Sequence, residues 1–157
     1  MDAAIQHEAL LQRLAQNEES IAELYSIFAD KFPRHRDFWS GLAGEEIQHA
    51  RWIHKLGARQ GSSVTIDATR FDDNVFAISV QYLEETIKTA KETKQTFKEA
   101  LTVSLDIETG MLERGYFTAF KGDDSELIEI LEHLRSKTEK HTNKIRKELS
   151  KKRWFLF

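Results

Sequence analysis

The chain contains no cysteine. This excludes disulfides, a thiol nucleophile, zinc fingers and every iron centre held by cysteine sulfur. One proline and seven glycines in 157 residues are too few for an all-β chain, which needs a turn every few residues. They suit long helices joined by few loops. No apolar run approaches the ~20 residues of a membrane-spanning helix. The segment from Met1 to Glu8 has neither a basic start nor an apolar stretch, so no secretory signal is expected, and the cytoplasm is the expected compartment. With 23 basic and 26 acidic residues there is no cationic footprint for nucleic acid. What is present, 40% apolar and 31% charged residues, describes one domain with a real core and a thick polar surface.

Apolar spacing predicts an all-α fold. A first helix is expected from about Asp2 to about Asp30, with Leu11, Leu14, Ile21, Tyr25 and Phe28 on one face. Pro33 and the polar run Arg34 to Asp37 make a turn. A second helix follows to about Leu56 and stops at Gly57, with Leu42, Ile53 and Leu56 on its inner row. A loop is expected from Gly61 to about Asp73, and Asn74 is a candidate N-cap for a helix carrying Phe76, Val80, Leu83, Ile87 and Ala90. Thr96 and Glu99 have capping-box spacing, which starts the next helix near Phe97. Its row is Leu101, Leu105, Leu112, Gly115 and Ala119, and it ends at the turn Gly122-Asp123-Asp124. The last helix is expected from Ser125 to about Lys151, on Leu127, Leu131, Leu134, Thr138, Ile145 and Leu149. Short turns make the first and last helix pairs antiparallel hairpins. About forty residues separate the hairpins, and a helix of ~19 residues spans roughly 28 Å, enough to return along a bundle.

The stripes are most informative where they fail. Each main helix carries an ionisable residue at a position its periodicity assigns to the core: Glu18 on the first, Glu46 and His49 on the second, Glu108 on the third and His141 on the fourth. All lie near mid-helix. Burying an unpaired carboxylate costs several kcal/mol, so three of them need compensation. A divalent cation supplies it, and mixed carboxylate and imidazole ligands suit iron or manganese, less specifically zinc. Glu46 and His49, three residues apart on a helix, can grip one ion.

The order Glu18, then Glu46-Ile-Gln-His49, then Glu108, then His141 resembles the ferritin-like superfamily of di-iron carboxylate proteins, in its rubrerythrin and bacterioferritin branches. Glu18 with Tyr25 is similar to the first-helix pattern, Ala43 to Ala50 to the second, and Ala100 to Glu108 to the third. The resemblance implies a ferritin-like four-helix bundle over residues 1–151, with a long helical crossover between the second and third main helices. It implies two iron ions, one held by Glu18, Glu46 and His49, the other by Glu46, Glu108 and His141, with Glu46 bridging. Tyr25 would be a hydrogen-bond donor behind the ligands. Redox chemistry with hydrogen peroxide or dioxygen, an external electron donor and a homodimer are further expectations. The family's second Glu-x-x-His is broken here, because Thr138 stands where a bridging glutamate would be. That loss weakens the second site, leaves a single metal or opens a position for water or peroxide, and the residues do not choose among these. Without cysteine, the rubredoxin-type relay of full rubrerythrins is missing.

Plainer readings stand beside this one. Glu18 could lie on a solvated edge, Glu45 competes with Glu46 for the inward position, and His49 could be a core histidine bonded to a carboxylate. Together these describe a metal-free bundle held by Glu–His pairs and acting as an interaction module. A third reading is an iron-binding or storage protein without turnover. His7, His35, His54 and His133 are expected at the surface, with Glu129 and Glu132. Residues 152–157 form a basic and aromatic tail, Lys152-Arg153-Trp154-Phe155-Leu156-Phe157, expected to dock on the bundle or on a second subunit rather than on a membrane.

Overall fold

A computed structural model describes residues 3–57, 65–66, 72–113, 120–121 and 125–154. It is all-α, with α1 (Ala3–Lys31), α2 (Arg36–Gly57), α3 (Asp73–Glu92), α4 (Phe97–Glu113) and α5 (Ser125–Trp154). A single 3₁₀ turn, Pro33–His35, joins α1 to α2, with proline at its first position, where its missing N–H costs nothing. The described residues also include two strands of two residues each, β1 (Thr65–Ile66) and β2 (Phe120–Lys121). They pair antiparallel, Thr65 with Lys121 and Ile66 with Phe120, and so tie the α2–α3 connection to the α4–α5 connection. Periodicity shows neither strand, since two residues carry no period. No described helix is long and apolar enough to cross a membrane.

Local chemistry accounts for the helix starts. Thr96 and Glu99 form the expected capping box: the Glu99 N–H donates to the Thr96 hydroxyl, and the Thr96 N–H donates to the Glu99 carboxylate, both at 3.1 Å. The cap of α3 is Asp72 rather than Asn74. Its carboxylate accepts from the Asn74 and Val75 N–H groups at 2.9 and 3.2 Å, and the helix begins at Asp73. The row expected for α4 continues to Ala119. The helix ends at Glu113, and residues 114–119 lie outside the described ones. The tail expected from residue 152 is helical backbone as far as Trp154, so α5 runs past the boundary drawn from composition; residues 155–157 lie outside the described ones.

Residue pairs fix the helix directions. Phe28 meets Trp39 and Glu19 meets His54, so α1 and α2 are antiparallel. Arg13 reaches Asp73 and Phe76, Glu23 pairs with Lys91, and Lys31 donates to the Thr93 carbonyl at 2.6 Å. Hence α3 runs parallel to α1 and returns the chain to the end where α1 turns into α2. Phe97, the first residue of α4, packs there against Phe32, Phe38 and Trp39, while Glu108 lies opposite Tyr25. Lys144 over Phe38 and His133 against Trp52 make α5 antiparallel to α2.

The core lies between these helices. Leu11, Leu14, Ile21, Tyr25 and Phe28 of α1 are buried, as are Leu42, Ile53 and Leu56 of α2 and Leu131, Leu134 and Ile145 of α5. On α4 the row is rotated slightly from expectation: Ala100, Leu101, Ser104, Ile107 and Met111 are buried and Leu105 is half-buried. Full burial of one such aliphatic side chain contributes ~1.5–3 kcal/mol, so this interior supports several polar intrusions.

Candidate metal centre

All five ionisable residues read from the stripes are in the interior. Glu18, Glu46, His49, Glu108 and His141 are each at most 1% exposed. Each sits on the same heptad-like row as its apolar neighbours, so helix geometry that buries Ile21 or Ile53 also buries the ionisable residue one turn before it, Glu18 or His49. The four helices carry them to one place. Glu18, Glu46 and His49 offer ligand atoms within 4.8 Å of one another, and so do Glu46, Glu108 and His141. Donors bound at about 2.0–2.2 Å stand up to ~4.4 Å apart across an ion, so both sets are near the span one ion needs. Glu46 belongs to both.

Hydrogen bonds within the cluster centre on Glu46. One oxygen faces His49 Nδ1 at 3.1 Å and the other His141 Nδ1 at 2.9 Å. His141 Nδ1 is also 3.4 Å from Glu108. The two imidazoles stack, with ring centroids 5.4 Å apart. Tyr25, fully buried on α1, donates its hydroxyl to Glu108 at 2.6 Å. Three carboxylate oxygens remain without a hydrogen-bond partner, both of Glu18 and one of Glu108. Glu18 adjoins Glu46, and a protonated Glu18 donates to it. An orphaned buried carboxylate oxygen is costly, and a cation is the partner its chemistry suits. The donor set therefore fits a divalent metal.

Protons offset part of the charge that these buried acids would carry. Burial first, and then the charge of Glu46, raise Glu18 well above the ordinary carboxylate range. The same two causes push Glu108 up to about 8. Burial works against ionising Glu46 too, yet the neighbouring Glu18, His141 and His49 outweigh it and hold its pKa well below the usual value. Burial alone would lower His141, but Glu108 and Glu46 dominate and raise it to about 11. Burial and Glu108 likewise keep the Tyr25 phenol protonated. The cluster thus sets an ionised Glu46 and a charged His141 beside two acids, Glu18 and Glu108, that hold their protons.

The outer neighbours include one residue whose contact with the site helical spacing alone does not show. Glu45 lies 100° round the helix from Glu46, which puts it outside the site. Its side chain is 46% exposed, yet its carboxylate holds His141 Nε2. A histidine that ligates through one ring nitrogen commonly donates the other to a carboxylate, which fixes ring and tautomer. The Glu45-Glu46 doublet is a visible signal for that role, but reading it needs the position of α5. Thr138 is buried, and its hydroxyl donates to the Leu134 carbonyl at 2.9 Å, so no fourth carboxylate enters. Glu139 is exposed and paired with Arg135, as its register requires. His54 and His133 are exposed, as are Glu129 and Glu132; His35 is half-buried and stacks on Phe97. His7 falls where side chains are not described.

No protein-family model, curated protein or solved structure matches this chain. The buried Glu and His groups are close enough to hold a metal ion, and this rests on the geometry alone.

Proposed function

We propose that the chain is a ferritin-like protein whose bundle holds two metal ions, iron in the first instance, and performs redox chemistry with hydrogen peroxide or dioxygen. One observation carries the reading. Glu46 is the common corner of two buried Glu, Glu, His sets, and the sets contain carboxylate oxygens that nothing in the protein satisfies. The helix order supports it as well. With α3 running parallel to α1, the two hairpins are joined by a connection that travels the length of the bundle, as in ferritin-like folds.

Glu18, Glu46 and His49 would hold one ion, and Glu46, Glu108 and His141 the other. An iron pair would supply one electron per ion to a small oxidant. The chain's own residues do the rest. Tyr25 holds one Glu108 oxygen by its hydrogen bond and so limits which oxygen Glu108 presents inward. Glu45 takes the outer nitrogen of His141, leaving Nδ1 directed at Glu46 and Glu108. Burial to 1% exposure or less keeps bulk water from Glu18, Glu46 and Glu108.

The metal-free bundle is favoured by the hydrogen bonds that Glu46 makes with both imidazoles. It also requires two of three buried acids, Glu18 and Glu108, to stay protonated in order to share one cluster with Glu46, and so is the weaker account. Stopped-flow mixing of anaerobically Fe(II)-loaded protein with peroxide tests the function. Protein-bound iron that oxidises faster than free Fe(II) supports it. Iron that binds but oxidises more slowly than free Fe(II) overturns the redox reading in favour of storage.

A further inference from the structure

On the α2–α5 side the candidate centre is continued by rings. His141 stacks on His49 at 5.4 Å with planes 17° apart. His49 stacks on Trp52 at 5.8 Å and 29°. The Trp52 ring meets His133 edge-on at 4.7 Å. Burial falls steadily along this row: His141 and His49 are 1% exposed, Trp52 is half-buried and His133 is exposed. Helical spacing builds it, because Trp52 lies three residues after His49 and His133 eight residues before His141, so each pair shares a helix face.

We propose that Trp52 is the electron-entry bridge of the site, carrying electrons from an external one-electron donor at the Trp52–His133 surface to metal held by His49. The inference rests on the proposed metal centre. Coupling between donor and acceptor decays less steeply through rings in van der Waals contact than across an equal gap, and these contacts fall in the range of ordinary aromatic pairs. Per electron, the donor is oxidised by one equivalent and the bound oxidised ion reduced by one. Trp52 and His49 end as they began, so no ring radical is required. A second row of rings leaves the site from Tyr25 through Trp39 at 5.5 Å, but it runs into Phe38 and Phe97, packed at the α1–α2 turn, and it begins at a hydrogen bond to Glu108 rather than at a ligand ring. The Trp52 row is the shorter way to solvent. Lys137 and Lys140 lie near His133 on α5 and face it with positive charge, while Glu129 and Glu132 are exposed on the same helix. Because the chain has no cysteine, one thiol can be placed and labelled without competition.

The test uses full-length His133→Cys carrying a ruthenium polypyridyl photoreductant, loaded with Fe(III), with and without Trp52→Leu. Electron arrival after the flash is followed by loss of the ferric absorbance. Trp52→Leu should slow arrival about tenfold or more, and Trp52→Phe by less. Metal affinity, measured by equilibrium dialysis, should be the same for the labelled parent and for its Trp52→Leu variant. Metal binding should quench less tryptophan emission in Trp52→Phe than in the parent. Equal arrival rates with and without Trp52, at equal metal content, overturn the proposal and leave the metal centre standing. Protein that takes up no metal overturns the proposed function first, and this inference with it.

Discussion

A divalent cation should raise the melting temperature, and should raise it more at pH 8 than at pH 6. The reason lies in what the cluster holds without metal. The folded chain keeps a proton on Glu108 up to about 8, whereas an ordinary carboxylate loses it near 4.5. It keeps His141 charged up to about 11, against 6.5 for an ordinary imidazole. Over both windows the folded state binds more protons than the unfolded, so the stability of the metal-free protein falls as pH rises. Any ion must displace these protons from the atoms it occupies, and each proton displaced makes apparent affinity rise about tenfold, or ~1.4 kcal/mol, per pH unit. At a hundredfold excess over its dissociation constant the ion contributes ~2.7 kcal/mol, roughly 5–11 °C for a chain of this size. Circular-dichroism melts with Mn(II) or with chelator, at several pH values between 5 and 8, measure both slopes. A metal-induced shift that is flat, or larger at the acid end, refutes the reasoning, because it means that the ion is not taking the protonated atoms.

Glu46→Ala should abolish uptake at both positions, since both sets lose a member; dialysis against Mn(II) with elemental analysis reads this directly. Glu45→Ala should weaken binding by about 10–100-fold without abolishing it, as expected for a carboxylate that orients a ligand histidine; the same titration checks it. Thr96→Ala removes the hydroxyl that accepts from Glu99 N–H at the start of α4 and should cost about 1 kcal/mol in urea unfolding, with metal stoichiometry unchanged. Tyr25→Phe leaves Glu108 without its donor at 2.6 Å and should destabilise the metal-free protein by ~1–3 kcal/mol in the same assay, and the metal-loaded protein by less.

The inner faces of α1, α2, α3 and α5 are legible in the sequence because helical periodicity is strong over many turns, and so are the five ionisable residues that interrupt them. Their convergence follows from placing each near mid-helix in a bundle. Three features are not legible. The cap of α3 is Asp72 instead of Asn74 because two neighbouring residue types cap equally well and only backbone conformation decides between them. The β1–β2 pair joins residues 65–66 to 120–121, a contact too remote in sequence for any local pattern. Glu45 is assigned to the outside by its own helix, correctly, but the outside of α2 at that point faces α5 and His141. A single helix cannot report what its neighbour presents.

The central claim is that Glu46 sits between two ions. A crystal structure of Mn(II)-soaked protein, with anomalous difference maps at an energy where manganese scatters, tests it most directly. The account predicts peaks on both sides of Glu46, one beside Glu18 and His49 and the other beside Glu108 and His141. Maps with no peak at Glu46, while the carboxylates keep their metal-free positions, would contradict it.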